Sequence, residues 1–116
     1  MRLALPVALT AVLLPAAAFA TTGLQCRPVG AGPALDLVIG HGAGPAIVSA
    51  RLEGRSATVA QSWIDGRTLW LDLTDAAATR YEARLRAVFQ PRLRGRPAVG
   101  TVERAGRTYR VRCLEG

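Results

Sequence analysis

Thr74-Asp75-Ala76-Ala77-Ala78-Thr79-Arg80-Tyr81-Glu82-Ala83-Arg84-Leu85-Arg86-Ala87-Val88-Phe89 is the stretch on which the fold class turns. From Tyr81 the residues alternate. Tyr81, Ala83, Leu85, Ala87 and Phe89 stand on one side, and Glu82, Arg84, Arg86 and Val88 on the other. Period-two patterning describes a strand with one buried and one wet face. The same stretch also allows a helix, with Asp75 as its cap, the alanines favouring it, and Ala77, Tyr81, Leu85 and Val88 on one helical face. Unbroken alternation favours the strand. A helix over 75–89 would instead make the fold α+β.

Working outward, short alternating stretches recur throughout the chain. Leu35, Leu37 and Ile39 share a face, as do Val48, Ala50 and Leu52, then Ala57, Val59 and Trp63, then Leu69, Leu71 and Leu73. Near the end Tyr109, Val111 and Cys113 alternate with Arg110 and Arg112. The expected strands are 24–29, 34–40, 46–53, 56–64, 67–73, 80–89, 98–104 and 107–113. Between them Glu53-Gly54-Arg55, Asp65-Gly66-Arg67 and Ala105-Gly106-Arg107 repeat a Gly-Arg step suited to tight hairpins. At Asp65 a three-residue loop, Ile64-Asp65-Gly66, is preferred to a two-residue one because it pairs Val59 with Leu71 and Ala57 with Leu73. The expectation is an all-β fold: a small antiparallel meander of about 7–8 short strands, closed as a barrel or folded as a sandwich.

The N-terminus sets the compartment. Arg2 precedes an apolar run, Leu3 to Leu14, and then Pro15-Ala16-Ala17-Ala18-Phe19-Ala20, with small residues at −3 and −1. This is the pattern of a cleavable signal peptide over residues 1–20, leaving one small domain over 21–116 in the periplasm or outside the cell. The apolar run falls short of the roughly 20 residues that span a bilayer, so no transmembrane segment is expected after cleavage. Gln25 before Cys26 does not suit a lipid-anchored cysteine. In an exported chain the lone pair Cys26 and Cys113 reads as one disulfide stapling the first strand to the last.

Little in the chain points to catalysis. The single histidine, His41, lies in Gly40-His41-Gly42-Ala43-Gly44-Pro45, without the nucleophile elbow or the Lys-Ser/Thr step that such glycine loops serve in enzymes. Cys26, Cys113 and His41 have no metal-ligand spacing, so neither a metal nor a cofactor is expected. Among the acids, Asp65 and Asp75 suit turns, and Asp36 and Asp72 fall on the wet side of strands. The expectation is a protein that is not an enzyme.

Charge is distributed unevenly. All 15 basic residues are Arg, which also fits a GC-rich genome, so position carries more weight than content. Residues 21–79 hold four Arg against five acids, whereas residues 80–116 hold ten Arg against three. Arg84 and Arg86 share the outward face of one strand, Arg110 and Arg112 that of another, and Arg92, Arg94 and Arg96 lie on a connecting loop. If the two strands are neighbours, their arginines form one basic stripe next to the basic loop, able to bind anions through bidentate guanidinium forks or to serve only as a solvated face. Trp70 falls opposite Leu69 and Leu71, either as an exposed recognition aromatic or under a second layer.

The leading expectation is therefore a non-catalytic binding module with an Arg-rich C-terminal face for an anionic envelope component. Nucleic acid is disfavoured as a partner, because the compartment is wrong and aromatic interleaving is missing. The alternative is a protein inhibitor of an exported enzyme. Cysteines in the first and last strands of a small β-domain ending Gly106-Arg107-Thr108-Tyr109-Arg110-Val111-Arg112-Cys113 give a layout that resembles the bacterial C-type lysozyme inhibitors. That family's serine-glycine and lysine-glycine loops have no counterpart here, so no residue role carries over.

Overall fold

The computed structural model describes residues 21–116, and the expected signal peptide, residues 1–20, lies outside the described residues. The stretch beginning at Thr74 divides in two. Asp75 closes a turn: its Oδ1 accepts the Thr79 backbone N–H at 2.7 Å and its Oδ2 accepts the Thr79 hydroxyl at 2.6 Å. The carboxylate that suited a helix cap satisfies this turn instead, and the Ala78 N–H bonds back to the Asp75 carbonyl. Tyr81–Phe89 then runs as a strand with Ala83, Leu85 and Ala87 buried.

The eight strands are β1 (Thr21–Pro28), β2 (Leu35–His41), β3 (Pro45–Leu52), β4 (Arg55–Ile64), β5 (Thr68–Thr74), β6 (Tyr81–Phe89), β7 (Ala98–Arg104) and β8 (Arg107–Glu115). Each pairs antiparallel with the next and β8 returns to β1, so the meander closes into a barrel rather than a sandwich. Cys26 and Cys113 are directly opposite on the closing β1–β8 seam and form a disulfide. Leu24, Leu35, Leu37, Leu69, Leu71, Leu73, Leu85 and Val102 fill the interior, as side chains do in a barrel of this strand number. Charged residues such as Arg84, Glu103, Arg110 and Arg112 stand on the outer wall, the reverse of a lipid-facing apolar band. No helix of the described residues is long and apolar enough to cross a membrane.

Two of the three Gly-Arg turns behave alike. Glu53-Gly54 and Ala105-Gly106 are two-residue loops with positive φ at both positions, the mirror-image turn whose twist suits a hairpin. The third differs, and neither loop expected there forms. Asp65 pairs with Thr68 around Gly66-Arg67, and the Asp65 Oδ1 accepts the backbone N–H groups of both Arg67 and Thr68 at 2.7 Å. The carboxylate satisfies loop donors that would otherwise need water, and this sets the register.

That register would send Val59 and Ile64 to opposite faces, because they are an odd number of residues apart. An extra residue, Ala60, between the pairs Val59↔Leu73 and Gln61↔Asp72 restores both to the inside. The same bulge turns Trp63 outward, away from the inner face expected for it. Comparable irregularities act at two other places. Val48 is the extra residue in β3, so Ile47 takes the inward place expected for Val48. A register shift at Leu73/Thr74, opposite Glu82, leaves Tyr81 at the surface and 51% exposed.

Candidate functional site

The ladder aligns five outward residues in one row across five strands. Trp63 faces Trp70, Trp70 faces Arg86, Arg86 faces Thr101, and Thr101 faces Arg110. At the usual strand spacing the row is roughly 19 Å long. Trp63 is 59% exposed and Trp70 50% exposed. Among the described residues the sheet is a single wall at this point, and no second layer covers Trp70.

The next row holds Gln61, Asp72, Arg84 and Glu103. Asp72 points outward as expected, yet it is only 3% exposed, so the expected wet position is not what it occupies. Two guanidinium groups close over it. Arg86 Nη1 lies 2.8 Å and Arg84 Nε 3.4 Å from the same oxygen, Asp72 Oδ1. Burying a carboxylate without such partners is costly, so the carboxylate and both arginines form one unit with net charge +1. Arg86 Nη1 also donates to the Leu85 carbonyl at 2.8 Å. Both guanidinium groups then lie on aromatic rings: Arg86 is 5.3 Å from the Trp70 ring centre and Arg84 is 4.5 Å from that of Tyr81.

Trp63 is held from its other side. Its indole Nε1–H donates to Asp65 Oδ2 at 2.9 Å, so the carboxylate that builds the β4–β5 turn also orients the indole. Between these pinned side chains lies an open groove of about 440 Å³, lined by Gln61, Trp63, Thr68, Trp70, Asp72 and Arg86.

Hydrogen bonds from the backbone amides of Arg67 and Thr68, and then from the Trp63 indole, hold the Asp65 carboxyl below its usual value of 3.8. A folded-state value below the unfolded one means that the ionised turn is favoured. Its contribution is fully present above the unfolded value and is lost as pH falls through the folded one. The Trp63 indole N–H resonance is therefore expected to shift on acidification with a midpoint below pH 3.8. A midpoint at or above that value would show that the turn does not hold the indole.

The seven arginines singled out in the sequence separate into two groups. β6 and β8 are not neighbours; they flank β7, so Arg86 and Arg110 stand about 10 Å apart with Thr101 between them. Arg84 and Arg86 are committed to Asp72. Among the described residues, Arg92, Arg94, Arg96, Arg110 and Arg112 have no acidic partner within 4.0 Å, although Arg112 lies opposite Arg27, itself paired with Asp36. Of the other acids, Glu53 contacts Arg104 at 3.7 Å, Glu82 contacts Arg80 at 4.0 Å, and Asp75 holds its own turn.

Sequence reasoning missed Trp63 and Gln61 as members of this surface, and it placed Asp72 on the outward face without its burial. One signal was present: Val59 and Ile64, both apolar, cannot share a face of an unbulged strand. Comparison of the chain with protein-family models, curated proteins and solved structures returns no match.

Proposed function

We propose that this protein is a non-catalytic exported binding module whose outer wall, from β4 to β8 with the β6–β7 loop, meets an anionic component of the cell envelope. One observation carries the reading. Among the described residues, five arginines without acidic partners lie on the same wall and adjoining loop as two exposed, individually pinned tryptophans. The ordered aromatics lose little side-chain entropy on binding, and the free guanidinium groups supply the charge that an anion needs. The secretory pattern of residues 1–20 and the Cys26–Cys113 disulfide support work in an oxidising compartment, periplasmic or extracellular.

The test uses the mature chain, 21–116, with phosphatidylglycerol vesicles and lipopolysaccharide across a range of ionic strength. Replacing Arg92, Arg94, Arg96, Arg110 and Arg112 with Ser leaves the partners of Asp72 in place. Basic residues near an anionic surface contribute about 1 kcal/mol each, so this variant is expected to bind at least tenfold more weakly and with a shallower salt dependence. Unchanged binding, or no binding by the unaltered chain at low salt, would reject the reading. The inhibitor alternative rests on layout alone, and an unimpaired lysozyme at excess protein would exclude it.

A further inference from the structure

The groove at Trp63, Trp70 and Arg86 differs in kind from the free arginines around it. We infer that it is a saccharide subsite taking a carboxylate-bearing pyranose, the repeating unit of an acidic glycan, and this rests on the binding-module reading. Three features of the groove lead there.

The first is charge. Arg86 and Arg84 share Asp72, so a simple anion gains less here than at Arg92, Arg94, Arg96, Arg110 or Arg112. A ligand drawn to this groove needs something beyond negative charge. The second is the aromatic pair. Trp63 and Trp70 are directly opposite on β4 and β5, and each is restrained by a different neighbour, Asp65 and Arg86 respectively. An indole face is electronegative, and the C–H bonds on one face of a pyranose ring present the complementary positive edge. A phosphatidylglycerol headgroup carries no such ring.

The third is the set of polar groups on the rim. Gln61 offers an amide and Thr68 a hydroxyl beside the indoles, the two-way donors and acceptors that sugar hydroxyls require. Arg86 directs Nη1 at Asp72 Oδ1 and at backbone carbonyls, and its remaining N–H groups have no acceptor among the described residues. Those groups form the planar fork that fits a carboxylate. The groove volume of about 440 Å³ suits one or two sugar rings. Its members come from strands of a closed barrel rather than from loops, so the site is built before the ligand arrives.

The experiment titrates the mature chain with tetragalacturonate and with its full methyl ester, the uncharged counterpart, following tryptophan fluorescence and the two indole N–H resonances. Tetragalacturonate is expected to bind and shift both resonances, with the methyl ester at least about tenfold weaker. Trp70→Ala and Trp63→Ala, at exposed positions where folding can be checked by melting, are each expected to lose about tenfold or more. Arg86→Lys keeps a charge beside Asp72 but removes the fork, and is expected to erase the preference for the acidic sugar. The five-arginine Ser variant is expected to keep tetragalacturonate affinity within about threefold at moderate salt.

Equal binding of the two tetrasaccharides would overturn the carboxylate assignment, and indifference to both tryptophan substitutions would overturn the subsite. Vesicle binding without tetragalacturonate binding overturns this inference alone. Loss of binding to both kinds of probe would remove the module reading as well.

Discussion

Gly100→Ala is expected to be among the most damaging single-methyl changes in this protein. Gly100 lies in the middle of β7, opposite Ala87 on β6 and Val111 on β8. A Cβ at this position would run into the Arg86 carbonyl oxygen and would stand 2.5 Å from Ala87 Cα and 2.8 Å from the Arg86 carbonyl carbon. All three atoms are backbone. A flexible side-chain tip can swing aside, but these atoms move only if β6 shifts away from β7 and the ladder between them opens. Overpacking a well-fitted interior costs about 1–3 kcal/mol, occasionally more, and a backbone obstacle puts this case at the upper end or above. For a domain of this size that lowers the melting temperature by roughly 12 °C or more. Gly23→Ala is the control: its Cβ meets only the Gly116 carbonyl oxygen, at 3.2 Å and at a strand end, and is expected to cost well under about 1 kcal/mol. The obstructing carbonyl belongs to Arg86, so any folded Gly100→Ala protein should also bind less well through the groove. Melting within about 3 °C of the parent would show that β6 and β7 can separate slightly without loss, and would reject the account.

The contrast between Gly100 and the alternating strands shows what the sequence makes legible. Alternation in Leu35–Ile39, Leu69–Leu73 and Ala83–Phe89 reports a one-sided wall directly, because each residue's face depends only on its parity. Closure into a barrel is the cooperative consequence of eight such walls and two terminal cysteines. Parity fails wherever an extra residue enters. Ala60 turns Trp63 from the expected core to the surface, and Val48 gives its inward place to Ile47. Nothing about Ala60 or Val48 as residue types marks a bulge. The requirement is set by the neighbouring strand, where the Asp65 turn fixes the register of β5 against β4.

The site was half legible for the same reason. Trp70, Arg84, Arg86, Arg110 and Arg112 face outward as the alternation predicts, because the ladder is regular at those positions. Asp72 was read as wet because facing outward was equated with solvation. Its burial comes from two long side chains on β6, Arg84 and Arg86, folding back over it, and that depends on cross-strand register rather than on local pattern. One consequence bears on how the surface is probed. Substituting Arg84 and Arg86 together would strand a buried carboxylate, so lost binding in that variant would report lost folding as readily as lost recognition.

Breaking the Cys26–Cys113 disulfide is the second change expected to have a large effect. The bond joins residues 87 positions apart and lies on the one seam, β1 against β8, that brings the two ends of the described chain together. Every other seam in this barrel is formed by consecutive strands and so closes a short loop, whereas this one closes nearly the whole domain. In the loop-closure picture the cross-link lowers the entropy of the unfolded chain by an amount equivalent to about 4–5 kcal/mol, and losses of about 2–5 kcal/mol are typical when such bonds are removed from small exported domains. Total stabilities of about 5–15 kcal/mol leave little beyond that. The Cys26→Ala, Cys113→Ala double variant is therefore expected to melt roughly 10–25 °C lower than the parent. Both sulfurs belong to fully buried residues, so reductant alone should cleave the bond slowly, at a rate set by opening of the seam, and moderate denaturant should accelerate it. In the double variant the amides of the β1–β8 ladder, Leu24 to Arg27 and Val111 to Glu115, should become the first to exchange with solvent, ahead of the β5–β6 ladder that carries Trp70 and Arg86. Uniform loss of protection across all eight seams would mean that the staple stabilises the barrel as a whole and not its closure. An unchanged melting temperature would mean that the β1–β8 hydrogen bonds hold the ends without it.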